Sequence, residues 1–352
     1  MKLLLTIDFP PEIGGIQQYL YDRVVHLYSN KDAVISGAGM KALEMSKKLP
    51  CKMYFITTFA FINKKLNLIP MFFLLLKLHL HNKEYSIEAG NIYSAIPAFL
   101  VSLIIKNCSY SIFFHGMELL QLQNNTIKSA FLKAVIKRAS HHFIVSEFTL
   151  QLLTRTGTLK KYSYAPPKID LTQYEKSSII HDIQPLNILA VGRFVRHKGH
   201  AVLIDTVSTL PQSIDWKLTI AGDGPLYNSL LTHCIDLSIS TKVSIKRNPS
   251  REELIMLYHK ADIFVFPSLN LPDAIEGFGI VLLEAMAFNI PIIASHAGGI
   301  PEVVTSECAI LVPPGNVTAL GDAIKELYYK PYYRKQLSEK AFERVRDHFS
   351  WK

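Results

Sequence analysis

Residues 273–284 read Asp273-Ala274-Ile275-Glu276-Gly277-Phe278-Gly279-Ile280-Val281-Leu282-Leu283-Glu284. Before them runs an apolar strand pattern, Asp262-Ile263-Phe264-Val265-Phe266-Pro267-Ser268, and after them an apolar helix continues through Ala285-Met286-Ala287-Phe288. A strand, a glycine-flanked turn and a helix in that order aim unpaired N–H groups and the positive end of the helix dipole at the turn's occupant. That is an anion site in outline. Glu276 lies in the loop, and Glu284 about two turns inside a helix that begins near Phe278 or Gly279. Ionised carboxylates only accept hydrogen bonds, so the two acids are suited to hydroxyl groups on either side of the anion. A sugar nucleotide has that layout: sugar hydroxyls, diphosphate, ribose hydroxyls.

Outward from this turn, strand and helix patterns alternate through the second half of the chain. Residues 187–191 precede the loop Gly192-Arg193-Phe194-Val195-Arg196-His197-Lys198-Gly199 and a helix that runs to Leu210. Residues 217–221 lead through Gly222-Asp223-Gly224-Pro225 into another helix, and 243–245 precede one opened by the capping-box pattern Ser250-Arg251-Glu252-Glu253. Asn289 and Pro291 close the helix that carries Glu284. Residues 290–295 and 309–312 supply two more strands, the first followed by Gly298-Gly299 and the second by a helix over 317–329. The first half has the same rhythm. A strand at 3–8 and a Pro/Gly loop at 9–15 lead to Ile16, Leu20, Val24 and Leu27 at helical spacing. Further strands are expected at 33–36, 53–57, 85–88, 111–114 and 142–145, with helices that include 95–105 and 126–139. The proline-bearing stretch 164–185 reads as a connector. Repeated βα units of this kind predict an α/β protein with two doubly wound, Rossmann-like domains.

The chain has 352 residues, 49% hydrophobic and 19% charged, which suits two ordinary folded domains. Its formal net charge of +9 favours an anionic partner: nucleic acid, a phosphate-bearing ligand or an anionic membrane surface. Only the charge speaks for nucleic acid, and none is expected as a partner. Cys51, Cys108, Cys234 and Cys308 are scattered without a C-x-x-C pair, as in a cytoplasmic protein with reduced thiols. The apolar start, Met1 to Asp8, is too short for a signal peptide and reads as a strand. Residues 69–80 are the most apolar stretch, yet Lys77 and His79 interrupt them and they fall short of the roughly 20 residues a spanning helix needs. With Lys64 and Lys65 beside it, this stretch supports two readings. One is a peripheral helix on the inner face of an anionic membrane; the other is a core helix with polar residues at its edge.

Together these segments resemble the retaining glycosyltransferases of family 4, which have the GT-B fold. The resemblance is carried by Gly192-Arg193 to Lys198-Gly199, Ala221-Gly222-Asp223-Gly224-Pro225, Glu276-x7-Glu284 and Gly298-Gly299-Ile300-Pro301-Glu302. In the first half it rests on Phe9-Pro10-Pro11-Glu12-Ile13-Gly14-Gly15-Ile16-Gln17 and His115-Gly116-Met117-Glu118. It implies two Rossmann-like domains facing each other across a cleft: an acceptor-binding domain at 1–180 and a nucleotide-sugar-binding domain at 181–330. A C-terminal helix at 331–352 would cross back onto the first domain, or the domain contact would be reduced. The implied activity is transfer of a hexosyl unit, with retention, from a nucleotide-sugar donor to a glycan or lipid-linked glycan acceptor. Surface polysaccharide or glycolipid biosynthesis is the implied setting.

The resemblance also assigns roles. Arg193 and Lys198 grip the donor diphosphate, Glu284 takes the ribose hydroxyls and Glu276 lies near the donor sugar. Gly277, Phe278 and Gly279 offer backbone N–H groups to the donor, while Gly14 and Gly15 close over the diphosphate. His115 joins Glu276, Arg193 and Lys198 as a catalytic candidate, and Gln17 is an acceptor-side candidate. The residue types suit these roles, because fixed cations stabilise the charge that builds on a departing phosphate. Retention through paired acids would need two carboxylates flanking one bond, and Glu284 is committed to the ribose. Front-face attack, with the leaving phosphate removing the acceptor's proton, is therefore expected, and Glu276 is not read as a nucleophile. No D-x-D occurs, the pattern that holds a divalent metal in the other common glycosyltransferase fold, so neither metal nor other cofactor is expected. Two rivals share the fold: a nucleotide-sugar epimerase and a catalytically silent nucleotide-sugar-binding protein. A Rossmann dehydrogenase is not expected, because Gly14-Gly15-Ile16-Gln17-Gln18 lacks G-x-G-x-x-G.

Overall fold

The computed structural model describes residues 1–10, 14–37, 47–56, 64–80, 85–122, 126–174 and 185–351. It divides into two compact units, Met1–Pro167 and Lys168–Lys352. The division falls inside the expected connector but ahead of the 180/181 boundary. The cause is that residues 169–174 pack with the second unit. Ile169 donates to the Phe349 carbonyl at 2.8 Å and accepts from Trp351 N at 3.0 Å. The Tyr174 ring meets Phe288 edge-on, with centroids 5.3 Å apart.

In the first unit the elements are β1 (Lys2–Thr6), α1 (Gly15–Leu27), β2 (Ala33–Ser36), β3 (Lys52–Phe55), α2 (Leu68–Leu80), β4 (Ser86–Ala89) and α3 (Ile96–Ile104). There follow β5 (Tyr110–Phe114), α4 (Met117–Leu120), α5 (Ile127–Arg138), β6 (His141–Ile144), α6 (Glu147–Arg155) and β7 (Tyr162–Tyr164). The strands pair in parallel in the order β3-β2-β1-β4-β5-β6-β7. Leu3, Leu4 and Leu5 are all buried, as a strand covered on both faces requires. From β1 the chain proceeds outward in one direction to β3, and from β4 in the other, so the strand order reverses between β1 and β4. The crevice at the carboxyl ends of those two strands is where open α/β sheets take ligands. Right-handed crossovers put α1 on one face and α2, α3 and α5 on the other. In agreement, α3 packs against both α2 and α5.

The second unit comprises β8 (Leu186–Val191), α7 (His200–Ser208), β9 (Trp216–Gly222), α8 (Tyr227–Asp236), β10 (Val243–Arg247), α9 (Arg251–Lys260) and β11 (Ile263–Phe266). After them come α10 (Ile280–Ala287), β12 (Ile292–Ser295), α11 (Ile300–Val303), β13 (Ala309–Val312), α12 (Val317–Tyr329) and α13 (Pro331–His348). Its parallel order is β10-β9-β8-β11-β12-β13, with the reversal between β8 and β11. Ile188, Phe194, Leu203, Trp216, Ile220 and Ile324 are among the core side chains. The capping box at α9 forms as read: Ser250 Oγ accepts from Glu253 N at 3.1 Å, and Glu253 Oε2 accepts from Ser250 N at 2.7 Å. The helix expected near the C-terminus is α13. It packs on α10 and α12 of its own unit, with Leu337, Ala341 and Val345 buried. No helix among the described residues is long and apolar enough to cross a membrane.

Candidate functional site

The turn between β11 and α10 begins the second unit's site. All four residues of β11 are buried, which fixes where the turn departs. Gly279 caps α10 in a left-handed conformation, φ 93°, so the helix starts at Ile280 and not at Phe278 or Gly279. Glu284 is then its fifth residue, little more than one turn in, a correction to the two turns expected. Phe278 is buried, its ring edge-on to Phe349 with centroids 5.7 Å apart, so its side chain anchors the turn. The carbonyl of Glu276 accepts from Gly299 N at 2.9 Å. Gly298, at φ 52°, makes this contact possible, because a Cβ there would overlap the Glu276 carbonyl oxygen.

The basic loop after β8 meets this turn. Gly199 is left-handed, φ 68°, and lies so close to the Pro267 carbonyl that a Cβ would overlap it. Leu269 N donates to the His197 carbonyl at 2.7 Å, a second tie between the loops. Through these contacts Lys198 Nζ reaches Glu276 Oε2 and forms an ion pair. The two side chains are only 13% and 14% exposed, and Nζ also stands 4.9 Å from the Phe266 ring centroid. Removing two charges from water costs several kcal/mol per ion, which the partner and the ring face offset. Arg193 is exposed, and its guanidinium forms no ion pair among the described residues. His200 is buried edge-on to Phe194, centroids 5.7 Å apart. Burial, reinforced by the Lys198 charge, pushes His200 down to about 4, so the ring is neutral at physiological pH. Burial and Lys198 lower His197 as well.

Glu284 is buried with its needs met. Arg251 Nη1 donates to Oε1 at 2.7 Å and Tyr258 OH to Oε2 at 2.8 Å. Arg251 Nη2 donates to Tyr174 OH at 3.0 Å, and the guanidinium lies 5.4 Å from that ring's centroid. Burial opposes the Arg251 charge, but Glu284 and Tyr174 outweigh it and hold the group protonated. Burial first, and then the Glu284 charge, raise Tyr258 well above the ordinary tyrosine value, so it acts as a donor. A carboxylate offers about four acceptor positions, so Glu284 can accept further hydrogen bonds. Arg251 and Tyr258, with Tyr174 behind Arg251, are partners of Glu284 that sequence reading missed. The available signal was the buried carboxylate itself, which demands a donor. Asp223, in the glycine-rich turn after β9, accepts from Arg247 Nε at 2.6 Å and Asn248 Nδ2 at 3.1 Å. Its carbonyl accepts from Phe194 N at 2.8 Å, which ties that turn to the basic loop.

The first unit has its own polar cluster, at the carboxyl ends of β1, β4 and β5. Gly14 caps α1 and Gly15 begins it. The Gln17 side chain lies over Gly14, where a Cβ would overlap its Oε1, and Gln17 Nε2 reaches Asp8 Oδ1 at 3.3 Å. Asn91 Nδ2 donates to Asp8 Oδ2 at 2.6 Å. His115 Nε2 lies 2.8 Å from the Gly90 carbonyl, its backbone N donates to Glu118 Oε1 at 2.7 Å, and its ring is edge-on to Tyr19. A carbonyl only accepts, so Nε2 carries a proton in this contact. Asp8 and Asn91 were not anticipated. Pro11, Glu12 and Ile13 of the glycine loop lie outside the described residues. Among the described residues no cluster of three metal-ligating side chains occurs.

Residues 175–344 match the family described as Glycosyl transferases group 1. The chain is 24% identical over 367 residues to the GDP-mannose-dependent alpha-(1-6)-phosphatidylinositol monomannoside mannosyltransferase of Mycolicibacterium smegmatis, covering 99% of this chain and 95% of that one. It is 35% identical over 147 residues to the amylovoran biosynthesis glycosyltransferase AmsK of Erwinia amylovora, covering 41% and 36% of the two chains. Among solved structures, Anabaena HepE in complex with UDP and glucose superposes with a TM-score of 0.82. That match covers 99% of this chain and 96% of the other at 19% identity, a likeness of fold.

Proposed function

We propose that the chain, whose residues 175–344 match the glycosyl transferases group 1 family, is a GT-B glycosyltransferase of the family 4 type that carries out a retaining, metal-independent transfer from a nucleotide-sugar donor. The junction of Lys198 with Glu276 is the observation that carries this reading, because it brings a phosphate-type cation and a hydroxyl-type acceptor to one point. Arg193 and Lys198 take the diphosphate, Glu276 the sugar hydroxyls and Glu284 the ribose. The Glu276 carboxylate neutralises Lys198. An incoming diphosphate replaces it as the counter-charge and leaves Glu276 for the sugar.

In the transfer, the bond from the anomeric carbon to the phosphate oxygen breaks. The acceptor oxygen bonds that carbon on the same face, and its proton passes to the departing phosphate. Charge grows on the phosphate as this happens, so Arg193 and Lys198 bind the transition state more strongly than the ground state. These two cations do the work a divalent metal does elsewhere. On the acceptor side we assign Gln17 a binding role and His115 a place beside the reacting sugar, with Gly14 and Gly15 over the diphosphate.

The relatives' names speak of a phosphatidylinositol monomannoside and of amylovoran biosynthesis, which supports a glycan or lipid-linked glycan acceptor and a role in glycolipid or surface-polysaccharide assembly. Such an acceptor suits a cytoplasmic enzyme held peripherally on a membrane. The test is a panel of nucleotide sugars, followed by nucleotide release and by the anomeric configuration of the product. Release only in the presence of acceptor, with retained configuration, is expected. Release without acceptor points to hydrolysis, an altered sugar still joined to its nucleotide points to epimerisation, and an inverted product removes the front-face mechanism.

A further inference from the structure

The helices α2, α3 and α5 line one face of the first unit's sheet and contain no Asp or Glu. They also turn large apolar side chains outward. Phe73 is 62% exposed, Leu103 58% and Ile104 64%, and nine of the eighteen large exposed apolar residues described lie on these helices or the short turn before α2. Lys77, Lys128, Lys133, Lys137 and Arg138 share the same helices. Large apolar side chains exposed on three helices of one face point to an interaction surface, since exposed apolar patches mark binding sites. Its uniform positive charge argues against a second copy, because an isologous contact would oppose cation to cation.

A cavity of about 570 Å³ opens where α3 and α5 end, lined by Phe99, Leu103, Cys108, Ser109 and three cations, Lys137, Arg138 and Lys160. Ser109 immediately precedes β5, and Lys160 shortly precedes β7, so the cavity lies at the amino ends of the strands. Asp8, Gln17 and His115 lie at the opposite, carboxyl end. The cavity is therefore separate from the polar cluster of this unit.

We propose that this face seats the protein on an anionic bilayer. Leu103, Ile104 and Phe73 enter the interface while Lys137, Arg138 and Lys160 receive a phosphodiester headgroup. Apolar insertion combined with lysines near an anionic surface is the chemistry of peripheral helices. The proposal rests on the membrane-associated reading above and names the surface that serves it.

The test is flotation of the full chain with phosphatidylcholine vesicles, with and without phosphatidylglycerol, at low and high salt. Wild type is expected to float with the anionic vesicles at least about tenfold better than with the neutral ones, and less well at high salt. Leu103→Glu with Ile104→Glu, and separately Lys137→Glu with Lys160→Glu, are each expected to lower partitioning at least about tenfold. Lys217→Glu with Lys260→Glu, a matched change of charge on the second unit, leaves it unchanged. All four positions of the first unit carry exposed or cavity-lining side chains, and melting by circular dichroism checks that each variant folds. Wild type that does not float overturns the membrane-associated reading together with this surface. Wild type that floats with both first-unit variants equally bound overturns the surface alone.

Discussion

Glu284 receives one hydrogen bond on each carboxylate oxygen, from Arg251 and from Tyr258. Removing either donor leaves a buried acceptor short of a partner, which costs about 1–3 kcal/mol. Tyr258→Phe keeps the ring packing on Phe288, so its loss should fall near the lower end, read from the urea midpoint. Arg251 is less buried than Glu284, and solvent will recover part of the cost of Arg251→Ala. His200 behaves differently. Its folded value of about 4 lies below its ordinary 6.5, so the unfolded chain takes up the proton first. Its contribution is complete above about pH 6.5 and is lost as the pH falls through 4, a change of up to about 3 kcal/mol. His200→Phe should flatten that acid limb in denaturant titrations at stepped pH. The sequence motif singles out Glu276, Glu284, Arg193 and Lys198 by type. It does not show their company. Lys198 and Glu276 are 78 residues apart, and their pairing depends on the close approach of Gly199 to Pro267, a backbone contact without local signature.

At the scale of elements, β11, the turn and α10 are legible because a buried strand, a glycine-flanked loop and an apolar helix follow one another. The start of α10 is less so. A glycine in the sequence permits a left-handed φ but does not state it, and Gly279 adopts one. That moved Glu284 closer to the helix start than periodicity indicates. The turn is also held from outside by Gly298 against the Glu276 carbonyl. Gly298→Ala would force the two loops apart in a conformation that disfavours side chains. We expect a loss of about 2–3 kcal/mol in stability and weaker nucleotide binding, measured by thermal melting and calorimetry. The α2 helix shows the limit of pattern reading. Its run of apolar residues fits either a core or a surface helix. The structure splits it, with Met71 and Leu75 buried and Ile69, Phe73 and Leu80 exposed.

At the scale of the molecule, two doubly wound units follow from repeated βα periodicity, and both sheets have their strand order reversed beside the first strand of the unit. The boundary moved to Pro167/Lys168 because Ile169 and Tyr174 contact residues distant in sequence, Phe349 and Phe288, and no local pattern records that. If Arg193 and Lys198 supply the charge that stabilises the leaving phosphate, a chelator such as EDTA should leave the rate of transfer within about twofold of its value without it. The most direct measurement is acceptor-dependent nucleotide release by wild type and by Glu276→Ala, both checked for folding. A fall of about 10²- to 10³-fold in turnover, with nucleotide binding largely kept, is expected for a group that acts on the donor sugar. A Glu276→Ala protein as active as wild type would contradict the assignment of this site.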